Sequence, residues 1–505
     1  MKIARVPWPE FISTQVWEHR YFPMDGPSRY SPTYFPGIPF SHVLEIWRKT
    51  VSLIKSGKAP PQVGLFVHWP FCPSQCTFCF CSMAVPKNQD TMANMLRSIM
   101  SEIDAVSAIF EDIPLSSLWM AGGTPTFMTD EMLDMLLSHI HRRFRFIEGA
   151  QIYSESSPAT LTPSKLKILL RYGLNRITVG IQTTDPGLIQ LLDRRGQTKD
   201  KIREVFGMLG DLKGVIKDVD VMVGLENQTA EIVSDDMREI LLFRPDNLHL
   251  FTFALSPQVL FVQRGGTMDE KQRQRQKILF DFASRILERS GYKESHYNEH
   301  SLQPFPWDEK QDGALRLARA SVIGVGPGAY SHAFGSAWYF HPPFSEMGSP
   351  SGIPEVRAME SGIEEEMRGF LIKRLMQDSC VSLKAFKSLF GVDLSSVGNI
   401  SRVLDELKCE GLIKIEDQKI LWTIENSIDR MIQVKRLYSQ QIVSAILKGK
   451  EELFRRFVSA WAGGDIRWRE AIKSEDNREP CRVYYDTRVW GAGKFARPKG
   501  ALLAK

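Results

Sequence analysis

The chain has 505 residues, 43% of them hydrophobic and 24% charged, a globular composition that excludes wholesale disorder and by length predicts two or three domains. No run approaches the ~18 uninterrupted apolar residues of a membrane span, and the opening MKIARVPWPEFISTQVWEHR is broken by Pro, Glu and Arg before a secretory core can form; the expected location is cytoplasmic. Net charge is +5, but from Arg430 to Lys505 there are 17 Lys and Arg against 8 Asp and Glu, so the tail is +9 and the rest of the chain −4.

Residues 1–60 hold eight prolines and little periodicity apart from a helical stretch over 41–55, and read as an N-terminal arm. From Val63 onward, short apolar runs alternate with stretches of 3.6-residue periodicity, the pattern of repeated βα units. Six runs are predicted strands: residues 63–71, 118–121, 151–154, 176–181, 218–223 and 249–253. Helices are predicted over intervening segments such as 130–146 and 164–172. Periodicity leaves open whether six parallel strands form an open doubly wound sheet or a partial barrel. Either way Gly122 to Thr124, Glu155, Gln182 and Gly224 follow apolar runs, at strand C-terminal ends where both architectures bind ligands.

Gly324-Val-Gly-Pro-Gly328 is a weak match to a phosphate loop. Residues 342–354, rich in Pro, Gly and Ser, read as a linker. Residues 363–425 alternate helices with two short β runs near 411–415 and 419–423, which predicts a helical domain with a winged hairpin. The segmentation is thus an arm over 1–60, an α/β body over 61–340, a smaller winged-helix-like domain over 355–428 and a basic extension over 429–505. A basic tail can meet nucleic acid, lipid or an acidic substrate, but acidic residues interrupt it and no nucleic-acid motif accompanies it, so a solvated charged face is the simpler reading.

Four of the seven cysteines crowd into ten residues, Cys72, Cys76, Cys79 and Cys81, spaced C-x3-C-x2-C-x-C; Cys380, Cys409 and Cys481 stand alone. Without an export signal a disulfide framework is not expected. The two separated pairs of a structural zinc site are absent. Three cysteines spaced three and two apart can wrap a [4Fe–4S] cluster and leave its fourth iron open to a small molecule.

That spacing resembles the signature of the radical S-adenosylmethionine (SAM) enzymes. Phe66-Val-His-Trp-Pro-Phe-Cys72 through Cys81, then Gly122-Gly-Thr-Pro-Thr126, then Gly180-Ile-Gln182, resemble in order and spacing the oxygen-independent coproporphyrinogen III dehydrogenase family. The resemblance covers about residues 63–425. It implies a partial (β/α)6 barrel with a C-terminal domain, a [4Fe–4S] cluster on Cys72, Cys76 and Cys79, and one or two SAM molecules. Cys81 is implied to stand beside the cluster unbound. Gly122, Gly123 and Thr124 are implied to meet SAM through backbone, Glu155, Gln182, Arg194 and Asp220 through hydrogen bonds and charge, and Phe66, Phe78, Ala254 and Tyr330 through apolar contact. Taken singly, each of these has a plainer reading as a turn, an ion pair or a packed side chain. His68, His249, His296 and His332 are read as satisfied structural histidines.

The implied chemistry is reductive cleavage of SAM to a 5′-deoxyadenosyl radical, fed by a low-potential donor such as flavodoxin or ferredoxin. The expected substrate is coproporphyrinogen III, or another carboxylated small molecule. Phe66 stands where the family has a tyrosine, Ala121 begins the glycine turn, and Gly224-Leu-Glu-Asn-Gln-Thr229 lacks the family's proline. These departures keep open a related C-methyltransferase or cyclopropane-forming enzyme, and, in other classes, a non-catalytic haem chaperone or a nucleic-acid binder. No membrane partner is expected.

Overall fold

The computed structural model describes residues 36–79, 81–253, 270–296, 299–302, 321–346, 355–377, 380–424, 430, 433–439 and 441. Ala254, most of the basic extension and the first 35 residues lie outside them.

All six predicted strands are present and parallel: β2 (Val63–Trp69), β3 (Leu115–Gly122), β4 (Phe146–Ser156), β5 (Arg176–Gln182), β6 (Ile216–Val223) and β7 (Asn247–Thr252). Helices α2 (Gln89–Ser107), α3 (Asp130–Arg143), α4 (Pro163–Arg171), α5 (Pro186–Leu191), α6 (Lys199–Gly210) and α7 (Ala230–Leu241) connect them. The short hydrogen-bonding side chains Thr129, Thr162, Asp185, Thr198 and Thr229 each accept an amide three residues into the helix they start, satisfying a donor that the helix itself leaves unpaired.

A seventh parallel strand, β10 (Ser321–Val325), lies against the outer edge of β2, with Ser321 opposite Val63. The Gly-rich stretch is therefore strand and turn. The amide of Gly326 is taken by the Glu102 carboxylate at 2.9 Å, so this loop is closed by the protein's own anion.

The sheet continues beyond β10 through antiparallel β11 (Tyr330–Ala333), β12 (Ala337–Phe340), β13 (Val356–Glu360) and β1 (Gly37–Ile38), and beyond β7 through β9 (Glu299–Leu302) and β8 (Tyr292–His296). Among the described residues it stays open, with β1 and β8 at its ends. The segment read as an arm is part of this sheet from Gly37. Helix α1 (Phe40–Lys55) buries Val43, Ile46, Trp47 and Val51, and Trp47 Nε1 donates to Tyr339 Oη at 2.7 Å. Its amphipathic spacing was legible; the long-range partner was not.

Alternate strand residues separate two surfaces. Leu65, Val67, Leu118, Met120, Ile177, Val179, Val219, Val221, Leu248 and Leu250 pack beneath the helices in the main core. The other parity faces inward: Phe66, His68, Trp119, Tyr153, Glu155, Thr178, Asp218, Asp220, Asn247 and His249. The strands are apolar on one face and mixed on the other.

The second domain comprises α9 (Ile363–Gln377), β14 (Cys380–Ser382), α10 (Leu383–Phe390), α11 (Gly398–Cys409), β15 (Ile413–Glu416) and β16 (Lys419–Trp422), its three strands ordered β14-β16-β15; α8 (Glu270–Arg289) packs earlier, on α7. The winged hairpin is where the sequence placed it. Its core, with Phe370, Phe386, Leu404 and Ile420, is continuous through Trp338 and Phe340 with Phe66 and Tyr330 inside the barrel. The domain packs on the strands through this shared core rather than hanging from a tether.

Candidate functional site

The cysteine loop leaves β2 and is pinned on three sides. Phe71 bridges Ala84, the Cys72 amide donates to the Ala84 carbonyl at 3.1 Å, and the Cys79 amide donates to the Cys76 carbonyl at 3.1 Å. The Ser74 hydroxyl donates to the Asp193 carbonyl at 2.9 Å, and the Thr77 amide to that of Leu192 at 3.0 Å. The loop is thus fastened to the segment that carries Arg194.

Gly122 and Gly123 fit tightly against this loop. Gly122 has φ +109°, and a Cβ there meets the His68 ring at 2.5 Å; a Cβ on Gly123 meets the Phe71 carbonyl at 2.6 Å. The Gly123 and Thr124 amides donate to the Trp69 and Phe71 carbonyls. The glycines therefore have a packing role, and Thr124 Oγ1 lies 3.1 Å from Cys72 Sγ.

Arg194 approaches the loop from the other side. Its Nη1 donates to Cys76 Sγ at 3.5 Å, its Nε to Gln197 at 2.9 Å, and its Nη2 to the Gly180 carbonyl. Gln197 in turn donates to the Ile181 and Thr183 carbonyls. Asp236 on α7 accepts from the Thr183 and Thr184 hydroxyls and the Thr184 amide at 2.6 to 2.8 Å. This clamp fixes the chain just after Gln182, a non-glycine residue at φ +68° in a β5 irregularity.

Burial pushes the Cys72 and Cys76 thiols up, with Thr124 and Arg194 pulling respectively against it. Cys81 is raised well above the usual thiol range, first by a hydrogen bond with Cys79 and then by burial. The fourth cysteine is therefore beside the third. Glu155 accepts from the Gly122 amide, yet burial and the neighbouring Asp220 push its carboxyl up to about 8. Asp220 receives His249 Nδ1 at 2.8 Å. Among the sequence-predicted residues, the structure brings together Cys72 with Thr124, Cys76 with Arg194, Cys79 with Glu155, and Glu155 with Asp220. Phe66 and Tyr330 pack together, ring centroids 5.0 Å apart, with the Trp119 ring tilted against Phe66 at 4.9 Å. Phe78 is half-buried on the cysteine loop.

Of the four histidines, His249 and His332 are satisfied by Asp220 and Glu366. His68 is fully buried with neither ring nitrogen hydrogen-bonded, and its pKa falls to about 3 through burial and the nearby His341. The side chain of His296 lies outside the described residues. Sequence reasoning missed Trp119, Tyr153, Asp218 and Gln197. The first three carry a readable signal, because each sits at the inward parity of its strand; Gln197 has none.

The donor set fits a cluster with SAM. Among the described residues no three His, Cys, Asp or Glu side chains converge on a single ion, whereas thiolates on separate corners of a cluster need not. Gln182 Oε1 is buried without a hydrogen-bond partner at the same rim, an acceptor left for a bound group.

Residues 66–240 match the family model of the radical SAM superfamily, and this part of the chain is a radical SAM domain with a [4Fe–4S] cluster and SAM as its cofactors. The chain as a whole is similar in fold to the Escherichia coli structure described as "Coproporphyrinogen III oxidase (HemN)", on which it superposes with a TM-score of 0.65, at 19% identity, over 77% of this chain and 93% of that one. It is 23% identical to the oxygen-independent coproporphyrinogen III oxidase of Pseudomonas aeruginosa over 79% of this chain and 90% of that protein. It is 25% identical to the heme chaperone HemW of Haemophilus influenzae over 49% of this chain and 65% of that one. Other curated oxidases are matched over 44% to 60% of their own length. No described helix is long and apolar enough to cross a membrane.

Proposed function

We propose that Cys72, Cys76 and Cys79 hold the cluster and that Gly122 to Thr124, Glu155, Gln182, Arg194 and Asp220 bind SAM, with Phe66, Phe78, Tyr330 and Ala254 in apolar contact. The substrate in this reading is coproporphyrinogen III, whose propionates are oxidatively decarboxylated. Bound there, reduced cluster and SAM supply an electron and a radical that abstracts hydrogen from the substrate.

The observation that carries the reading is the meeting of the cysteine loop with Thr124, Arg194 and Glu155 at one strand-end rim. Each partner has a task. Arg194 offers the Cys76 sulfur a charged hydrogen bond, which favours the reduced, more negative cluster. Glu155 retains a proton at neutral pH until a cationic ligand drives it off. The aromatic wall of Phe66, Trp119 and Tyr330, sealed by the second domain, excludes water. Phe66 offers no hydroxyl, so SAM specificity at that point rests on shape. Basic partners for the substrate carboxylates are proposed in the N-terminal and C-terminal segments beyond the described residues.

The test is anaerobic reconstitution with iron and sulfide, then incubation with SAM, dithionite and coproporphyrinogen III, with products read by mass spectrometry. A porphyrinogen lighter by two carboxyl groups, with 5′-deoxyadenosine, is expected. S-adenosylhomocysteine in its place reassigns the site to methyl transfer, and haem binding without SAM turnover reassigns it to a chaperone.

A further inference from the structure

Deep in the barrel mouth, one imidazole is enclosed by carboxylates from three strands. His249, on β7, donates from Nδ1 to Asp220 on β6 at 2.8 Å, and its Nε2 lies 3.8 Å from Glu299 on β9. Asp218, also on β6, is engaged separately by Arg176 at 2.6 Å and by Asn247 at 2.7 Å. Glu155 faces Asp220 from β4. On its own strand, His249 has Phe251 in edge contact.

We infer that His249 is a positioning residue of the SAM site: it holds the Asp220 carboxylate in one orientation, with Glu299 as the buttress behind, so that Asp220 presents its free oxygen to the hydroxyl or amino groups of SAM. The inference rests on the reading above that Asp220 binds SAM. The geometry supports it because Asp220 has two acidic neighbours and His249 is the cation placed among them. Glu155 keeps its proton at neutral pH, so the crowding falls on Asp220 itself: without the His249 cation it turns away or takes a proton. Burial opposes the charge on His249, but the Asp220 hydrogen bond, then the charges of Asp220, Glu299 and Asp218, outweigh it and push the imidazole up to about 9. The charged part of that support is therefore present below pH about 9 and lost above it, where the neutral ring keeps one N–H to donate.

SAM affinity is measured by equilibrium dialysis on anaerobically reconstituted protein without reductant, with iron content and melting temperature recorded for each variant. D220N tests the underlying reading; unchanged SAM affinity in it sinks that reading itself. With D220N weakened, H249F is expected to lose about tenfold in affinity, in the range of other supporting-residue losses, and D220N/H249F to be no weaker than D220N alone. An H249F protein with wild-type affinity and only a lowered melting temperature overturns the inference while leaving Asp220 in place. Should H249F fail to fold, H249N decides, since its amide reproduces the Nδ1 donor without a charge. It is expected to retain SAM affinity within about threefold at pH 7 and to lose the fall in affinity that wild type shows above pH about 9; the same alkaline fall in H249N overturns the inference.

Discussion

At the scale of single residues, the cysteine loop yields the sharpest expectation. Cys72→Ala, Cys76→Ala and Cys79→Ala abolish the brown cluster absorption, and Cys81→Ala leaves it, as iron analysis reads directly. The buried hydrogen bond between Cys81 and Cys79 makes this a demanding comparison, because the unbound thiol is a neighbour of a proposed ligand. A second expectation concerns Arg176, which is 8% exposed and bonded to Asp218 at 1% exposure. Arg176→Leu leaves a buried charge unpaired and costs about 3–5 kcal/mol, measured by chemical denaturation. Restoring neutrality with Asp218→Asn in the same chain recovers part of that loss. Glu155 adds a pH dependence to the cluster-free protein: its carboxyl titrates near pH 8 when folded, against about 4.3 when unfolded. The folded state therefore binds the extra proton, and stability falls as pH rises between these values. Glu155→Gln flattens that slope.

At the scale of elements, the sequence announced strands, helices and the cysteine loop, because period 2, period 3.6 and C-x3-C-x2-C are local patterns. What it concealed is non-local. Trp47 reads as an apolar residue on an amphipathic helix, but its Tyr339 partner is distant in sequence and β12 is a four-residue strand. Ser321–Val325 joins the parallel set only because β2 has a free edge there. In the site, Cys72, Thr124, Glu155 and Arg194 were legible through motif order. Gln197 and Asp236 were not, since they act through backbone carbonyls, hydroxyls and amides that any sequence has. Asp236 illustrates the cost: Asp236→Ala strands the Thr184 amide and two hydroxyls, a loss of about 2–3 kcal/mol, while Thr229→Ala at the start of the same helix costs about 1 kcal/mol. Thermal melts of the two variants separate a clamp from a cap.

At the scale of the whole molecule, the shared apolar cluster makes barrel and second domain one cooperative unit. Phe386→Ala, fully buried in the second domain, is expected to cost about 3–5 kcal/mol and to lower a single melting transition, with near-ultraviolet circular dichroism from the barrel aromatics lost in the same step. The cluster also fixes where the basic extension can be cut. Val434 and Leu437 belong to it, and Arg368 donates to the Leu437 carbonyl at 2.9 Å. Ending the chain after Gln441 preserves the melting temperature, whereas ending it at Ser427 lowers it. The shorter deletion is therefore the one that tests the extension for substrate binding.

The pairing of β2 with β10 bears on how the chain is made. Val63 and Ser321 are neighbours in the sheet but are separated by about 260 residues, which a ribosome adds in roughly 15 to 50 s at ~5–20 residues per second. Throughout that interval the segment Val-Gly-Leu-Phe-Val-His-Trp has one edge without its final partner. Such an edge invites pairing with other chains, so nascent chains halted before Ser321 accumulate as aggregates and full-length yield rises with slower, cooler expression.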